Sequence, residues 1–99
     1  MEEVFRLVLE GAPEEGRVWI VRAEGILGRE PDCVVQVEGR GVSRRHAVLT
    51  PRPDGLHIRD LGSRNGIVVE GSRTVEAVLR EGQRLRGVEV TLRLERAPG

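Results

Sequence analysis

The stretch VEVTLRLE, residues 88–95, alternates apolar and polar side chains along its whole length. The apolar positions are Val88, Val90, Leu92 and Leu94, and the polar positions are Glu89, Thr91, Arg93 and Glu95. Because successive side chains of a β-strand point to opposite faces, this period of two predicts a strand with one buried and one solvated face. The stretch VFRLVLE, residues 4–10, alternates in a similar way, so we expect strands at both ends of the chain.

Five further segments between these ends are short and rich in β-branched or aliphatic residues: 17–22, 33–37, 46–50, 56–61 and 67–69. Turn signals separate them, and the chain contains 13 Gly and five Pro. Many short strands joined by tight turns indicate an all-β sandwich or barrel. The stretch TVEAVLREG, residues 74–82, also has apolar residues at helical spacing. It is short and has no capping box, so we assign it to a loop plus a strand.

The net charge of the chain is zero, but the charges are unevenly distributed. Residues 1–39 carry four Arg and nine acidic residues, and residues 65–99 carry six Arg and five Glu. Residues 40–64 carry six Arg and two Asp, so this middle segment would attract an anionic partner. A solvated arginine-rich surface explains the same composition.

Several features of the sequence indicate a soluble protein. Cys33 is the single cysteine, which excludes an internal disulfide and a Cys-x-x-Cys zinc site, and we expect it in the core or near the surface. The N-terminal stretch MEEVFR lacks the basic and apolar regions of a signal peptide. The longest aliphatic or aromatic run, VWIV at 18–21, is far too short to span a membrane. We therefore expect a cytoplasmic location and no membrane partner.

The residue types of a catalytic triad are present, but their context argues against an enzyme. Arg45 stands where the second glycine of a nucleophile elbow is needed after Ser43. On a strand, Ser43 and His46 would point to opposite faces, so they could not form a Ser–His pair for Asp60 to complete as a triad. The two histidines have no cysteine or acidic cluster around them, which argues against a metal site.

Nucleotide and nucleic-acid binding also lack their usual signals. The chain has neither a G-x-G-x-x-G loop nor a Gly-Lys-Ser/Thr sequence. Phe5 and Trp19 are its two aromatic residues, which is too few for a platform on which bases stack. We therefore expect no cofactor and no nucleic-acid partner.

Three polar loops carry groups that suit an anion, in the sequences LGRE (27–30), VSRRH (42–46) and SRNG (63–66). Guanidinium, hydroxyl and backbone N–H groups together are the ligands of a phosphate dianion. Asn65 is the single asparagine of the chain, and its amide can both donate and accept, as reading a peptide backbone requires. The combination indicates a phosphopeptide ligand. The side chains in question are Arg29; Ser43, Arg44 and Arg45; and Ser63, Arg64 and Asn65.

The order Gly28-Arg29, then Ser43-x-x-His46, then DLGSRNG at 60–66 resembles the forkhead-associated (FHA) domain family. The resemblance covers about residues 4–94 and implies a β-sandwich of two mainly antiparallel sheets, with about eleven short strands and binding loops at one end. It implies one domain over residues 1–99 with its core at about 4–94. It also implies a non-catalytic module that binds phosphothreonine in partner proteins, the substrates of a Ser/Thr kinase.

The family motif can be carried onto individual residues of this chain. The resemblance implies that Arg29 and Ser43 bind the phosphate and that Arg44 adds a further phosphate contact. It implies that Asn65 holds the peptide main chain on the side that follows the phosphothreonine. The positions matching structural supports of the family are Gly28, His46 and Gly66.

Three positions depart from the family pattern. Arg64 stands where Ser or Thr is frequent, Ile67 where Thr is frequent, and Glu70 where a second Asn is often found. Arg64 either reaches the phosphate or crowds the pocket, and we include it among the expected phosphate ligands. The departures bear on the peptide selectivity of the pocket.

Two alternatives stay open at this point. Asn-Gly is also typical of a type I′ turn, in which Asn adopts a positive φ, so Asn65 could serve the turn alone. A sandwich of the same fold could bind proteins without requiring phosphate, and an arginine-rich nucleic-acid binder is a more distant alternative.

Overall fold

The computed structural model describes residues 3–11, 14–39, 41–87 and 90–97. Over these segments the chain forms eleven β-strands and no helix, as expected from the sequence and the family resemblance. Nothing in these ranges is a helix long and apolar enough to span a membrane. The strands are β1 (Phe5–Glu10), β2 (Val18–Val21), β3 (Gly25–Gly28), β4 (Val35–Gln36), β5 (Ala47–Arg52), β6 (Gly55–Asp60), β7 (Ile67–Val69), β8 (Ser72–Thr74), β9 (Glu76–Leu79), β10 (Arg84–Gly87) and β11 (Val90–Arg96).

The strands form the two sheets of a β-sandwich. The first sheet has the strand order β2-β1-β11-β10-β7-β8, and the second has the order β4-β3-β5-β6-β9. Neighbouring strands run antiparallel, apart from β3 and β4, which run parallel. The two ends of the chain pair with each other as β1 and β11, with Leu7 opposite Leu94 and Leu9 opposite Leu92.

The core lies between the sheets and follows the alternation of the sequence. In β1, Phe5, Leu7 and Leu9 are buried and the residues between them are partly exposed. In β11, Leu92 and Leu94 are buried in the same way, whereas positions 88 and 89 of the predicted strand, Val88 and Glu89, lie outside the described residues. Further core residues are Trp19, Val21, Leu27, Cys33, Val35, Val37, Val42, Ala47, Leu49, Leu56, Ile58, Ile67, Leu79 and Leu85.

Some elements differ from the expectation. The strands β3, β8 and β10 have the sequences GILG, SRT and RLRG, which are too short or too polar to show a period of two. These segments are extended because they pair with neighbouring strands, since the β-propensity of their own residues does not predict a strand. The predicted strand at 33–37 is reduced to Val35–Gln36, the part that pairs with β3. The ambiguous segment 74–82 contains the strand Glu76–Leu79 and no helix, as we expected.

Glu10 joins three strands on the outer face of the first sheet. Its carboxylate accepts hydrogen bonds from Arg84 Nε and from Arg93 Nη1, each at 2.6 Å. The guanidiniums of Arg84 and Arg93 hold the pKa of Glu10 below its ordinary value. The ionised carboxylate therefore contributes stability above that ordinary pKa, and the contribution is lost as the pH falls through the lowered value.

The hairpin between β7 and β8 closes through Glu70 and Gly71. Both have a positive φ, 48° and 82°, and Val69 lies opposite Ser72, so they are the two central residues of a type I′ turn. Among the residues that the structure describes, Glu70 is the one non-glycine residue with a positive φ. This conformation costs an ordinary L-residue about 1–2 kcal/mol.

Replacing Glu70 by asparagine is expected to stabilise the protein. Asn adopts the left-handed conformation more readily than Glu, so Glu70→Asn should raise the free energy of unfolding by about 1 kcal/mol. Urea denaturation of the two proteins measures the difference. Glu81→Asn is the matched control, because Glu81 also precedes a glycine in a turn but has no positive φ. Equal gains in both variants would contradict the strain at Glu70.

Candidate functional site

Three loops meet at one end of the sandwich: residues 29–34, residues 37–39 with 41–46, and residues 61–66. They converge because β3, β4 and β6 end at this edge, and β5 and β7 begin there. The strand register fixes the arrangement, since Leu27 lies opposite Ala47 and Ala47 lies opposite Asp60. The three polar motifs of the sequence therefore lie side by side.

Gly28 allows the first two loops to approach each other closely. A Cβ at this buried position would overlap the carbonyl oxygen of Arg44, so any side chain would force the backbones apart. The contact continues beyond the glycine, where the N–H of Arg29 donates to Ser43 O at 3.2 Å and that of Glu30 donates to Arg44 O at 3.3 Å. This packing supplies a physical reason for glycine immediately before Arg29.

The Arg29 side chain is held through its Nε atom. Nε donates to the carbonyl oxygen of Val42 at 2.7 Å. Because the guanidinium is planar and rigid, this bond also fixes the direction of the two Nη groups. The bond joins Arg29 to a neutral acceptor, so the positive charge of the guanidinium is not offset there.

Ser43 uses its backbone and its side chain for different bonds. The backbone N–H donates to His46 Nδ1 at 3.0 Å, and the hydroxyl oxygen accepts from the N–H of Arg64 at 3.0 Å. A hydroxyl has one donor besides its acceptor lone pairs. None of the hydrogen bonds among the described residues uses that donor, so the Ser43 O–H can donate to a ligand.

His46 lies at the centre of the loop cluster with 1% of its surface exposed. Its Nδ1 accepts from Ser43 N–H, and its Nε2 lies 2.7 Å from the carbonyl oxygen of Gly66. A carbonyl can only accept, so Nε2 carries the proton and the ring is the neutral Nε2–H tautomer. The imidazole thus joins the second loop to the third. Both of its nitrogens have hydrogen-bond partners, as a buried polar ring requires.

Asp60 and Ser63 shape the third loop, a role that the sequence reasoning missed. Asp60 Oδ2 accepts from the N–H groups of Gly62 and Ser63, each at 3.0 Å, and Asp60 Oδ1 accepts from the Ser63 hydroxyl. The Ser63 hydroxyl oxygen accepts from Gly66 N–H at 2.8 Å. An Asp two or three residues before Gly and Ser is a recognisable turn signal, and it could have identified this network.

These bonds do not form a catalytic triad. The Ser43 hydroxyl contacts the Arg64 backbone and not the His46 ring, and the Asp60 carboxylate contacts the third loop. Over the described segments, no cluster of three or more His, Cys, Asp or Glu side chains could hold a metal ion.

Asn65 connects the third loop to its neighbours. Its side-chain Nδ2 donates to Gly41 O at 3.0 Å, and its backbone carbonyl oxygen accepts from Arg73 Nη2 at 3.0 Å. Gly66 has a φ of 74°, whereas Asn65 has no positive φ. The interpretation of Asn65-Gly66 as a type I′ turn is therefore wrong, because that turn needs a positive φ at both central residues.

An open, polar pocket of about 230 Å³ lies between the loops. Its lining contains no acidic residue and includes three arginines with a serine. Arg45, which the sequence also suggested for an anion pocket, does not line it and pairs instead with Glu30 and Asp32. The lining residues are Arg29, Gly41, Val42, Ser43, Arg44 and Arg64.

Removing the His46 ring is expected to destabilise the protein. His46→Ala leaves the Ser43 N–H and the Gly66 carbonyl without partners, so the free energy of unfolding should fall by about 2–4 kcal/mol. The other histidine is the matched control, because His57 is half-buried and bonds the side chain of Asp54 near the surface. His57→Ala should cost about 1 kcal/mol or less. Chemical denaturation of both variants tests this, and similar losses would contradict a special role for His46.

The geometry defines a β-sandwich with a cationic pocket built by loops at one end, and the comparisons with known proteins agree. The FHA domain family matches residues 25–86. The chain belongs to this family.

Individual relatives show the same likeness. FhaB of Mycolicibacterium smegmatis, an FHA domain-containing protein, is 32% identical over 72 residues, which are 73% of this chain and 46% of the relative. The ABC transporter ATP-binding/permease protein Rv1747 of Mycobacterium tuberculosis is 41% identical over 56 residues, which are 57% of this chain and 6% of the relative. The chain thus spans less than half the length of these two relatives.

Solved structures resemble the fold over nearly the whole chain. One comes from a structural and functional analysis of phosphothreonine-dependent FHA domain interactions, with a TM-score of 0.84, 28% identity and coverage of 98% of this chain and 99% of the other. Another is EmbR of Mycobacterium tuberculosis in complex with a low-affinity phosphopeptide, with a TM-score of 0.84, 26% identity and coverage of 97% and 25%. A third is the FhaA FHA domain complexed with the intracellular domain of Rv3910, with a TM-score of 0.82, 28% identity and coverage of 93% and 99%.

Proposed function

We propose that this chain is a non-catalytic module that binds phosphothreonine-containing segments of partner proteins. The observation that carries the proposal is the pocket in which Arg29, Ser43, Arg44 and Arg64 face one another without an acidic neighbour in its lining. Phosphothreonine carries a charge of about −1.5 to −2 at neutral pH and three acceptor oxygens, which suits several cationic donors at once.

Each proposed phosphate ligand has a distinct contribution. Arg29 presents its Nη groups from a guanidinium fixed at Nε, and Ser43 offers its O–H donor. Arg44 and Arg64 add charge from the second and third loops, and both are exposed. In this proposal the Arg64 side chain supports phosphate binding in place of the hydroxyl that is frequent at this position of the family.

The peptide part of the proposal depends on Asn65. Its Nδ2 already donates one bond to Gly41 O, and an amide nitrogen has a second donor in addition to the acceptor Oδ1. These two groups can pair with one N–H and one C=O of an extended peptide. Two of the similar structures are described as phosphothreonine-dependent or as bound to a phosphopeptide, which supports the same ligand class here.

The proposal extends to the biological setting. The partners are expected to be substrates of a Ser/Thr kinase, and we propose a cytoplasmic location and action of residues 1–99 as one binding unit. Binding without chemistry is consistent with the bonds of His46, whose two ring nitrogens are engaged within the protein and cannot act on Ser43 Oγ.

Truncating the phosphate ligands is expected to weaken phosphopeptide binding. Arg29→Ala should cost about 2–5 kcal/mol of binding free energy, the range for removing one partner of a desolvated charge pair. Ser43→Ala should cost about 1.5–3 kcal/mol, as for a hydrogen bond to a charged group. Isothermal titration with a phosphothreonine peptide measures both losses. Arg52→Gln is the control, since Arg52 is exposed in the β5–β6 hairpin at the opposite end of the sandwich.

The same titrations separate the alternative functions. The unphosphorylated peptide and its Glu-substituted form should bind far more weakly than the phosphopeptide, because a single carboxylate has less charge. Equal binding of the unphosphorylated peptide would indicate a phosphate-independent interaction module, and tighter binding of an oligonucleotide would indicate a nucleic-acid binder. Wild-type affinity in Arg29→Ala would show that the pocket is not the site.

Two ligands can distinguish whether Asn65 binds the peptide backbone or only holds the loops together through its bond to Gly41. Asn65→Ala should weaken binding of the phosphopeptide by about 1–3 kcal/mol, because two hydrogen bonds to the peptide backbone are lost. Free phosphothreonine lacks the following residues of the peptide, so its binding, followed by NMR titration, should change much less. If both ligands weaken by the same factor, Asn65 acts by holding the loops and does not clamp the peptide.

A further inference from the structure

Two exposed arginines lie side by side with a valine on the outer face of the first sheet. Arg86 of β10 is opposite Val68 of β7, and Val68 is opposite Arg73 of β8. Directly opposite residues of an antiparallel pair share a face. This face is the outer one, because the adjacent residues Leu85 and Ile67 are buried in the core. We call Arg86, Val68 and Arg73 the outer row.

The arginines of the outer row differ from others on the same sheet in their ion pairs. Arg84 and Arg93 lie on neighbouring strands, and both pair with the carboxylate of Glu10. For Arg73 and Arg86, the described ranges contain no carboxylate within ion-pair distance. The outer row therefore presents two positive charges to solvent around a half-buried apolar side chain.

The outer row adjoins Asn65, the residue that follows the pocket-lining Arg64 in the sequence. Arg73 Nη2 donates to the carbonyl oxygen of Asn65, so its guanidinium lies directly beside the residue proposed to hold the peptide. Strands in a sheet are about 4.8 Å apart, which places the backbones of Arg73 and Arg86 roughly 10 Å from each other. That distance equals about three residues of an extended peptide.

We propose that Arg73 and Arg86 form a second cationic subsite, which binds acidic side chains in the segment that follows the phosphothreonine. The inference rests on the proposed function and adds the class of partner sequence that this chain prefers. A segment leaving Asn65 along the outer row passes Arg73 first, contacts Val68 and then reaches Arg86. Charge complementarity selects Glu or Asp for this segment, and it disfavours Lys or Arg.

Two phosphothreonine peptides test the proposal. They are identical except that the second to fifth residues after the phosphothreonine are Glu in one and Gln in the other. Wild-type protein at low ionic strength should bind the Glu peptide about 4–20-fold more tightly, the effect of two exposed ion pairs. The ratio should shrink as salt is added, because exposed charges are screened.

The ratio of the two affinities is then measured in variants of the protein. The double variant Arg73→Gln, Arg86→Gln should bring the ratio close to one, and each single variant should have an intermediate ratio. Because the ratio compares two ligands of the same variant, a general disturbance of the loop cancels. Arg52→Gln, at the far end of the sandwich, should leave the wild-type ratio unchanged.

The possible results distinguish failure of the second cationic subsite from failure of the proposed phosphopeptide binding. Equal wild-type affinity for the Glu and Gln phosphopeptides overturns the second subsite while phosphate recognition stands. A wild-type preference that persists in the double variant also overturns it, because the acidic residues then bind elsewhere. If neither phosphopeptide binds more tightly than its unphosphorylated form, the proposed function itself fails, and the subsite fails with it.

Discussion

The buried imidazole of His46 is the interaction on which the loop end of this protein depends. It is a polar group with almost no contact with water, so both nitrogens need partners, and the partners are backbone groups of two different loops. Satisfying the ring therefore fixes the distance between residues 43 and 66. A second bond joins the same two loops, because the hydroxyl oxygen of Ser43 accepts from the N–H of Arg64. Two loops far apart in the sequence become one rigid surface.

Neutral groups hold the first two loops where they border the pocket, and this has an electrostatic consequence. Arg29 is positioned by the carbonyl oxygen of Val42, and the Gly28 backbone packs against that of Arg44. Neutral carbonyls orient a guanidinium without offsetting its charge, whereas a carboxylate would compete with an anionic ligand. Arg45 shows the contrast, because it is paired with Glu30 and Asp32 and lies outside the pocket. Whether an arginine of these loops keeps its charge available for an anion thus depends on whether its partner is a carbonyl or a carboxylate.

Sequence reasoning predicted the strands that alternate or are rich in β-branched and aliphatic residues, and it missed the short strands β3, β8 and β10. The ends of the chain have a clear period of two, because each strand there has one face in the core. The strands β8 and β10 expose arginines on their outer face and are short, so their extended form depends on pairing with β7 and β11. The location of the type I′ turn also depends on strand pairing. The sequence left open a type I′ turn at Asn65-Gly66, but the type I′ turn occurs at Glu70-Gly71, where the register of the hairpin requires it.

By itself the sequence determined the all-β architecture and the inventory of groups at the loop end, since alternation and residue type are local properties. It also contained the motif order that indicates the FHA family, which the match to residues 25–86 bears out. The tertiary structure decided which of the arginines share a pocket, that Asn65 bonds Gly41, and that Arg73 and Arg86 lie on one outer row. These facts depend on strand register and loop convergence, which pair residues distant along the chain, and no local pattern encodes such pairings.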